Sequence, residues 1–241
     1  HYRMAIWHEG WGEYSSARAA LEQSLEAARR ANERGIEADS LHRLASVCWR
    51  QGHFDEAIST GQAALQVAQA IADRSREAIS LTTLGVVHRT LGNMEQAGNC
   101  YRQALEIRQV IGDRREIAIS LNQMGNLHYD LGHFTEALNH HRQSLEYFRM
   151  VGDRRGEAWS TSGLGNIYLQ CGDLAAAQAS YEQALTIRQS IADRRGEAVA
   201  LGDLGNVLLA QGRTKAAIEQ YQQSLQILQD IGARRATKPF H

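Results

Sequence analysis

One feature decides what this chain can fold into: it repeats itself with a period of about 40 residues. The segment Asp153-Arg154-Arg155-Gly156-Glu157-Ala158 returns unchanged at Asp193 to Ala198, and variants of it open at Asp73 and Asp113. Gly85, Gly125, Gly165 and Gly205 keep the same period. So do Gly12, Gly52, Gly92, Gly132, Gly172 and Gly212, and likewise Ala17, Ala57, Ala97, Ala137, Ala177 and Ala217. Several columns in one register, with no insertion, identify an array of supersecondary units that bury their apolar faces against their neighbours.

The apolar period inside a unit is helical. Ala78, Leu81, Leu84, Gly85 and His88 share one face of a first helix, A. Gly92 breaks it, and Asn93 is expected to N-cap a second helix, B, whose stripe is Ala97, Tyr101, Ala104, Leu105 and Ile107. Gly112 is expected to end helix B in a left-handed conformation. Asp113 then caps the next unit, with Glu116 in its first turn; in later units that acid is Glu157 or Glu197. Gly85 and Ala97 fall where A and B must approach closely, so a larger side chain there would overpack the contact by roughly 1–3 kcal/mol.

Composition agrees. A single proline, Pro239, in 241 residues disfavours β-sandwiches and loop-rich enzymes. No apolar run approaches the ~20 residues that span a bilayer. A net charge of −1 argues against a dedicated binder of nucleic acid or anionic membrane. Cys48, Cys100 and Cys171 form no CxxC and no even set, which suits a reducing, cytoplasmic setting. No phosphate loop, dinucleotide fingerprint or nucleophile elbow occurs, so no enzyme activity and no cofactor are expected. Ten histidines raise a metal hypothesis, but His88, His128 and His141 occupy columns that hold tyrosine elsewhere, and no pair has ligand spacing. They read as packing residues, and no metal site is expected.

The pattern Leu164-Gly165, Tyr168, Gly172, Ala177, Tyr181, Ala184-Leu185 resembles the tetratricopeptide repeat, over nearly the whole chain. The usual repeat of that family is shorter, at about 34 residues. The longer form here is similar to the repeats of Pins/LGN polarity adaptors, kinesin light chain and the sensor arrays of bacterial STAND proteins. The resemblance implies an all-α fold: an α-solenoid of six helix-turn-helix units in a right-handed superhelix. The units run approximately 1–33, 34–73, 74–113, 114–153, 154–193 and 194–232, with a tail at 233–241. It also implies a concave groove, lined by A helices, that holds peptides. Unit one lacks the start of its helix A, and Leu225, Ile227 and Leu228 belong to a last helix whose neighbour is missing. A fragment of a longer protein is the expectation, and self-association of the open ends is the alternative.

Aligned on the groove, one A-helix column reads Ser46, Val86, Asn126, Asn166, Asn206, with Asn122 and His42 one turn earlier. An amide offers donors and an acceptor together, which suits the backbone of an extended peptide. Trp49, Tyr129 and Trp159 would add apolar anchoring, and His42, Arg50 and Arg89 a cationic end. The alternative is that Asn126, Asn166 and Asn206 bond between neighbouring A helices. The four Asp-Arg pairs along one edge read as solvated caps, or else as a docking edge for an acidic partner. The function expected is binding of a partner peptide or segment, as part of a larger signalling protein. The alternatives are a sensor or autoinhibitory arm of a STAND-type ATPase, and a self-assembling array.

Overall fold

The computed structural model describes residues 1–236, which form twelve helices. They are α1 (Tyr2–Trp11), α2 (Tyr14–Arg30), α3 (Arg34–Arg50), α4 (Phe54–Ala70), α5 (Arg74–Thr90), α6 (Met94–Ile111), α7 (Arg114–Asp130), α8 (Phe134–Met150), α9 (Arg154–Gln170), α10 (Leu174–Ser190), α11 (Arg194–Ala210) and α12 (Thr214–Ala236). Odd numbers are A helices and even numbers B helices. Among the described residues there is no strand. The chain divides into two compact units, His1–Asp113 with α1 to α6 and Arg114–His241 with α7 to α12.

The turns show why this sequence reverses where it does. The A–B turn puts Gly92 at φ 78°, a region open to glycine at little cost, and the Asn93 N–H bonds back to the His88 carbonyl at 2.9 Å. The B–A turn uses Gly112 and Gly152 in two places, but Asn32, Ala72 and Ala192 at φ 54–56° in the others. Asp73, Asp153 and Asp193 then cap the next A helix, each accepting a backbone N–H three residues on at 2.9–3.1 Å. Asn93 occupies the N-cap position of α6 without a side-chain bond, whereas Asp173 in the same column accepts the Ala176 N–H. The charged Asp is the one that captures the orphan donor here.

Helices A and B of one unit meet through a glycine and a tyrosine. A Cβ on Gly85 would lie 2.4 Å from the Tyr101 ring, and one on Gly165 would lie 2.7 Å from Tyr181. Successive units are then joined by a polar seam. Glu37, Glu77, Glu157 and Glu197 are buried, yet each faces the arginine that opens its own helix at 2.5–2.6 Å. The preceding B helix adds a second donor in three of them: Arg29 to Glu37, Gln69 to Glu77 and Gln189 to Glu197. The Asp-Arg-Arg-Gly-Glu-Ala signature is therefore a cap followed by a clamp, and it satisfies a carboxylate that would otherwise be costly to bury. Apolar packing continues across the same seam, with Ala177 and Tyr181 against Leu204 and Val207.

The last helix runs to Ala236, beyond the end of the sixth unit expected at residue 232. Ala233 stands in the column of the capping Asp73, Asp113, Asp153 and Asp193, so the local stop signal is absent. Residues 237–241 of the expected tail lie outside the described residues.

Candidate functional site

The residues expected to line a binding face sit on odd-numbered helices, in both units. In the first unit, Trp49 is half-buried and its indole Nε1 donates to Thr90 Oγ1 at 2.9 Å. It walls a cleft of about 120 Å³ between α3 and α5, shared with Ser46, Arg50, Thr82, Thr83, Val86 and Val87. That is well below the size of small-molecule pockets, and of the order of one side chain. Arg50 is exposed, with its guanidinium 5.7 Å from the centroid of the Tyr14 ring, and Arg89 is half-buried. His42 departs from expectation. Burial and the neighbouring Arg43 push it down to about 4, so it is neutral at physiological pH. The cationic character of this face rests on its arginines.

The second unit holds the amides. Asn166 and Asn206 are exposed, as a groove-lining role requires. Neither bonds to a neighbouring A helix. Each Oδ1 accepts the hydroxyl of the tyrosine on its own B helix, Tyr181 at 2.6 Å and Tyr221 at 2.8 Å. One side of each amide is thus engaged within its own helix pair.

Asn122 is a correction. It is buried, its Nδ2 donating to Ser160 Oγ at 3.2 Å and to His141 Nδ1 at 3.4 Å. An amide nitrogen only donates, so Nδ1 accepts and the ring carries its proton on Nε2. His141 fills the tyrosine column because Gly125 and Gly163 leave room on both sides of its ring. Burial and His140 push it down to about 4. Asn126 is half-buried and donates to Asn122 Oδ1 at 3.3 Å, so it faces solvent only in part. These two amides serve the core first, because a smaller aromatic ring leaves polar space behind the column.

Of the aromatics, Tyr129 is half-buried with its ring 6.0 Å from Phe134, while Trp159 is 54% exposed. Val199 (52%) and Leu209 (51%) on α11 are exposed to a similar degree and were not singled out from the sequence. The signal was there: both lie in the columns of Trp159 and Tyr129. The Asn166–Tyr181 pairing was also legible, as a sequence offset that recurs unchanged at Asn206–Tyr221. On α12, Ile218, Leu225 and Leu228 are about half exposed.

The remaining candidates resolve into structure. Along the Asp-Arg edge, Arg115 bridges to Asp153 at 2.8 Å and the neighbouring Arg76 to Asp39 at 2.9 and 3.0 Å, while Arg155 stays 73% exposed. His128 stacks on His140 with centroids 5.1 Å apart, and His133 lies 5.8 Å from His128. Burial pushes His128 and His140 below the usual imidazole range, with a neighbouring histidine adding to it. Among the described residues, no group of three or more His, Cys, Asp and Glu side chains is arranged to hold a metal ion. No described helix is long and apolar enough to cross a membrane.

Comparisons with known proteins agree with this architecture. Tetratricopeptide repeat models match residues 36–109, 76–150 and 156–230, and a second such model matches 122–189. A search of curated proteins finds no significant match. Among solved structures, BtubC (BKLC) from P. vanneervenii is similar at 24% identity, covering 93% of each chain with a TM-score of 0.74. A Rap protein complexed with competence and sporulation factor is similar at 14% identity and TM-score 0.76, over 97% of this chain and 75% of that one. A STAND protein with a tetratricopeptide repeat sensor, from Pyrococcus horikoshii, has 18% identity and TM-score 0.69, over 95% of this chain and 37% of that one. At these identities the likeness speaks for the fold. With repeat models over most of its length and the helix-turn-helix unit recurring throughout, the chain belongs to the tetratricopeptide repeat family, whose members generally mediate protein–protein interaction.

Proposed function

We propose that this chain is a non-enzymatic interaction module that holds a segment of a partner protein against its A-helix faces, within a larger signalling protein. The observation that carries the reading is on α9 and α11. Trp159, Val199 and Leu209 are each more than half exposed there, beside the half-used amides of Asn166 and Asn206. Large apolar side chains with orienting polar groups between them are the composition of an interaction surface. In the first unit, Trp49 with Arg50 and Arg89 forms the corresponding face. The Rap complex supports the reading, since a protein of similar fold is there complexed with a factor. The test is retention of partners from a lysate of the source cells by the wild type and by Trp159→Ala/Asn166→Ala/Asn206→Ala. All three side chains are exposed, and circular dichroism checks the fold of the variant, since Asn166→Ala takes the acceptor from the buried Tyr181 hydroxyl. A protein held by wild type and lost by the variant supports the face, and equal retention by both removes it.

A second reading is a sensor arm of a STAND-type ATPase. It is favoured by the likeness to the Pyrococcus horikoshii protein, of which this chain spans about a third. A nucleotide-binding domain encoded in the same gene would support it.

A further inference from the structure

An asparagine amide has two ends, and the end turned outward decides which peptide group it takes. On α9 and α11 that choice is made from behind, by helix B of the same unit. The Tyr181 hydroxyl donates to Asn166 Oδ1 at 2.6 Å, and the Tyr221 hydroxyl to Asn206 Oδ1 at 2.8 Å, both lengths proper to O–H···O bonds. The rings stand over Gly165 and Gly205, where a Cβ would come within 2.7 and 2.4 Å. With Oδ1 turned to the tyrosine and both asparagines exposed, Nδ2 is the outward end.

On α7 the order is reversed. His141 Nδ1 accepts from Asn122 Nδ2, and Asn122 Oδ1 accepts from Asn126 Nδ2. The end of Asn126 left over is Oδ1. The A face of the second unit therefore carries an acceptor at Asn126 and donors at Asn166 and Asn206. The flanking positions on α9 and α11 (162, 163, 169, 170, 202, 203, 209 and 210) hold one formal charge, the negative Asp203. The Arg188 guanidinium behind them is buried and donates to Ser162 Oγ and the Gly196 carbonyl. With no cation at these flanking positions, the exposed Arg155 and Arg195 standing about three turns away at the helix starts, the two donors favour a neutral acceptor over a carboxylate or phosphate.

Resting on the peptide-binding reading above, we propose that Tyr181 and Tyr221 are positioning residues that lock Asn166 and Asn206 as donors for main-chain carbonyls of an extended, uncharged peptide segment. The test begins with a random peptide library displayed on phage and selected on the full chain. Affinities of the enriched peptide are then measured for wild type, Tyr181→Phe/Tyr221→Phe, Asn166→Ala/Asn206→Ala and the combination. Phenylalanine keeps the ring over each glycine, and the oxygen it releases belongs to an exposed asparagine, so the fold is preserved. The expected result is binding weakened about 3- to 10-fold by the Phe pair, with no further loss when it is added to the Ala pair. Enriched peptides should lack acidic residues at the positions that protection mapping places on α9 and α11. If the Phe pair binds as wild type does, or weakens binding equally in the Ala background, the positioning role is overturned while the binding reading stands. If no peptide is enriched above a mock selection, the binding reading fails and this inference with it.

Discussion

At the scale of the residue, one substitution inside a repeat column reorganises its surroundings. His141 stands where Tyr101, Tyr181 and Tyr221 stand in other units, and it draws Asn122 and Ser160 into a buried polar chain. Its ring is 1% exposed and is held neutral down to about pH 4, while in the unfolded chain it titrates near 6.5. The unfolded state thus binds the extra proton first. Stability from this site is full above about pH 6.5, falls as pH drops towards 4, and levels off below, a loss of about 3 kcal/mol in total. In His141→Tyr, the stability difference between pH 7 and pH 4.5 is expected to shrink by about 2 kcal/mol, read by urea denaturation at the two pH values. An unchanged difference would mean that the half-buried histidines, His42 first among them, carry the acid sensitivity.

The element scale is governed by the turns. Gly112 and Gly152 end their B helices with positive φ at no steric cost, but Ala72 and Ala192 occupy the same place at φ 54°. A Cβ in the left-handed region costs about 1–2 kcal/mol. Ala72→Gly and Ala192→Gly are each expected to stabilise the chain by about 0.5–1 kcal/mol, less than the full strain because glycine also loosens the unfolded chain. A rise in melting temperature checks this, and a fall would show that the alanine methyl makes a contact worth more than the strain. The helix boundaries were legible because glycine and aspartate mark them column by column. The run-on of α12 to Ala236 follows the same logic, since the aspartate is missing there.

For the whole molecule, stability is a sum of neighbour-to-neighbour seams. Every buried glutamate is clamped by its own unit, and most also by the helix before it. Among the described helices, α1 and α12 have such a neighbour on one side only, and α12 leaves Leu225 and Leu228 about half exposed. Amide hydrogen exchange is therefore expected to be faster in α1 than in α4 within the first unit, and faster in α12 than in α9 and α10 within the second. Uniform protection across either unit would indicate all-or-none unfolding instead of repeat-by-repeat opening.

What the sequence determined by itself was everything periodic. The repeat register, the A and B helices, the glycine turns and the close approach of A and B at the Gly85 column all follow from residue type at fixed spacing. So did the exposed positions of Trp159, Asn166 and Asn206, because a column's place on the helix fixes which way it faces. What only the tertiary structure decided was how each polar group in a column is spent. Asn122, Asn126, Asn166 and Asn206 are one residue type on one face, yet two serve the core and two face water. The difference lies in the ring across the helix pair, and a hydrogen bond depends on that partner's length and lone pairs as much as on the amide itself. His42 is the same case: its column names a groove residue, but burial beside Arg43 takes away the charge the sequence suggests.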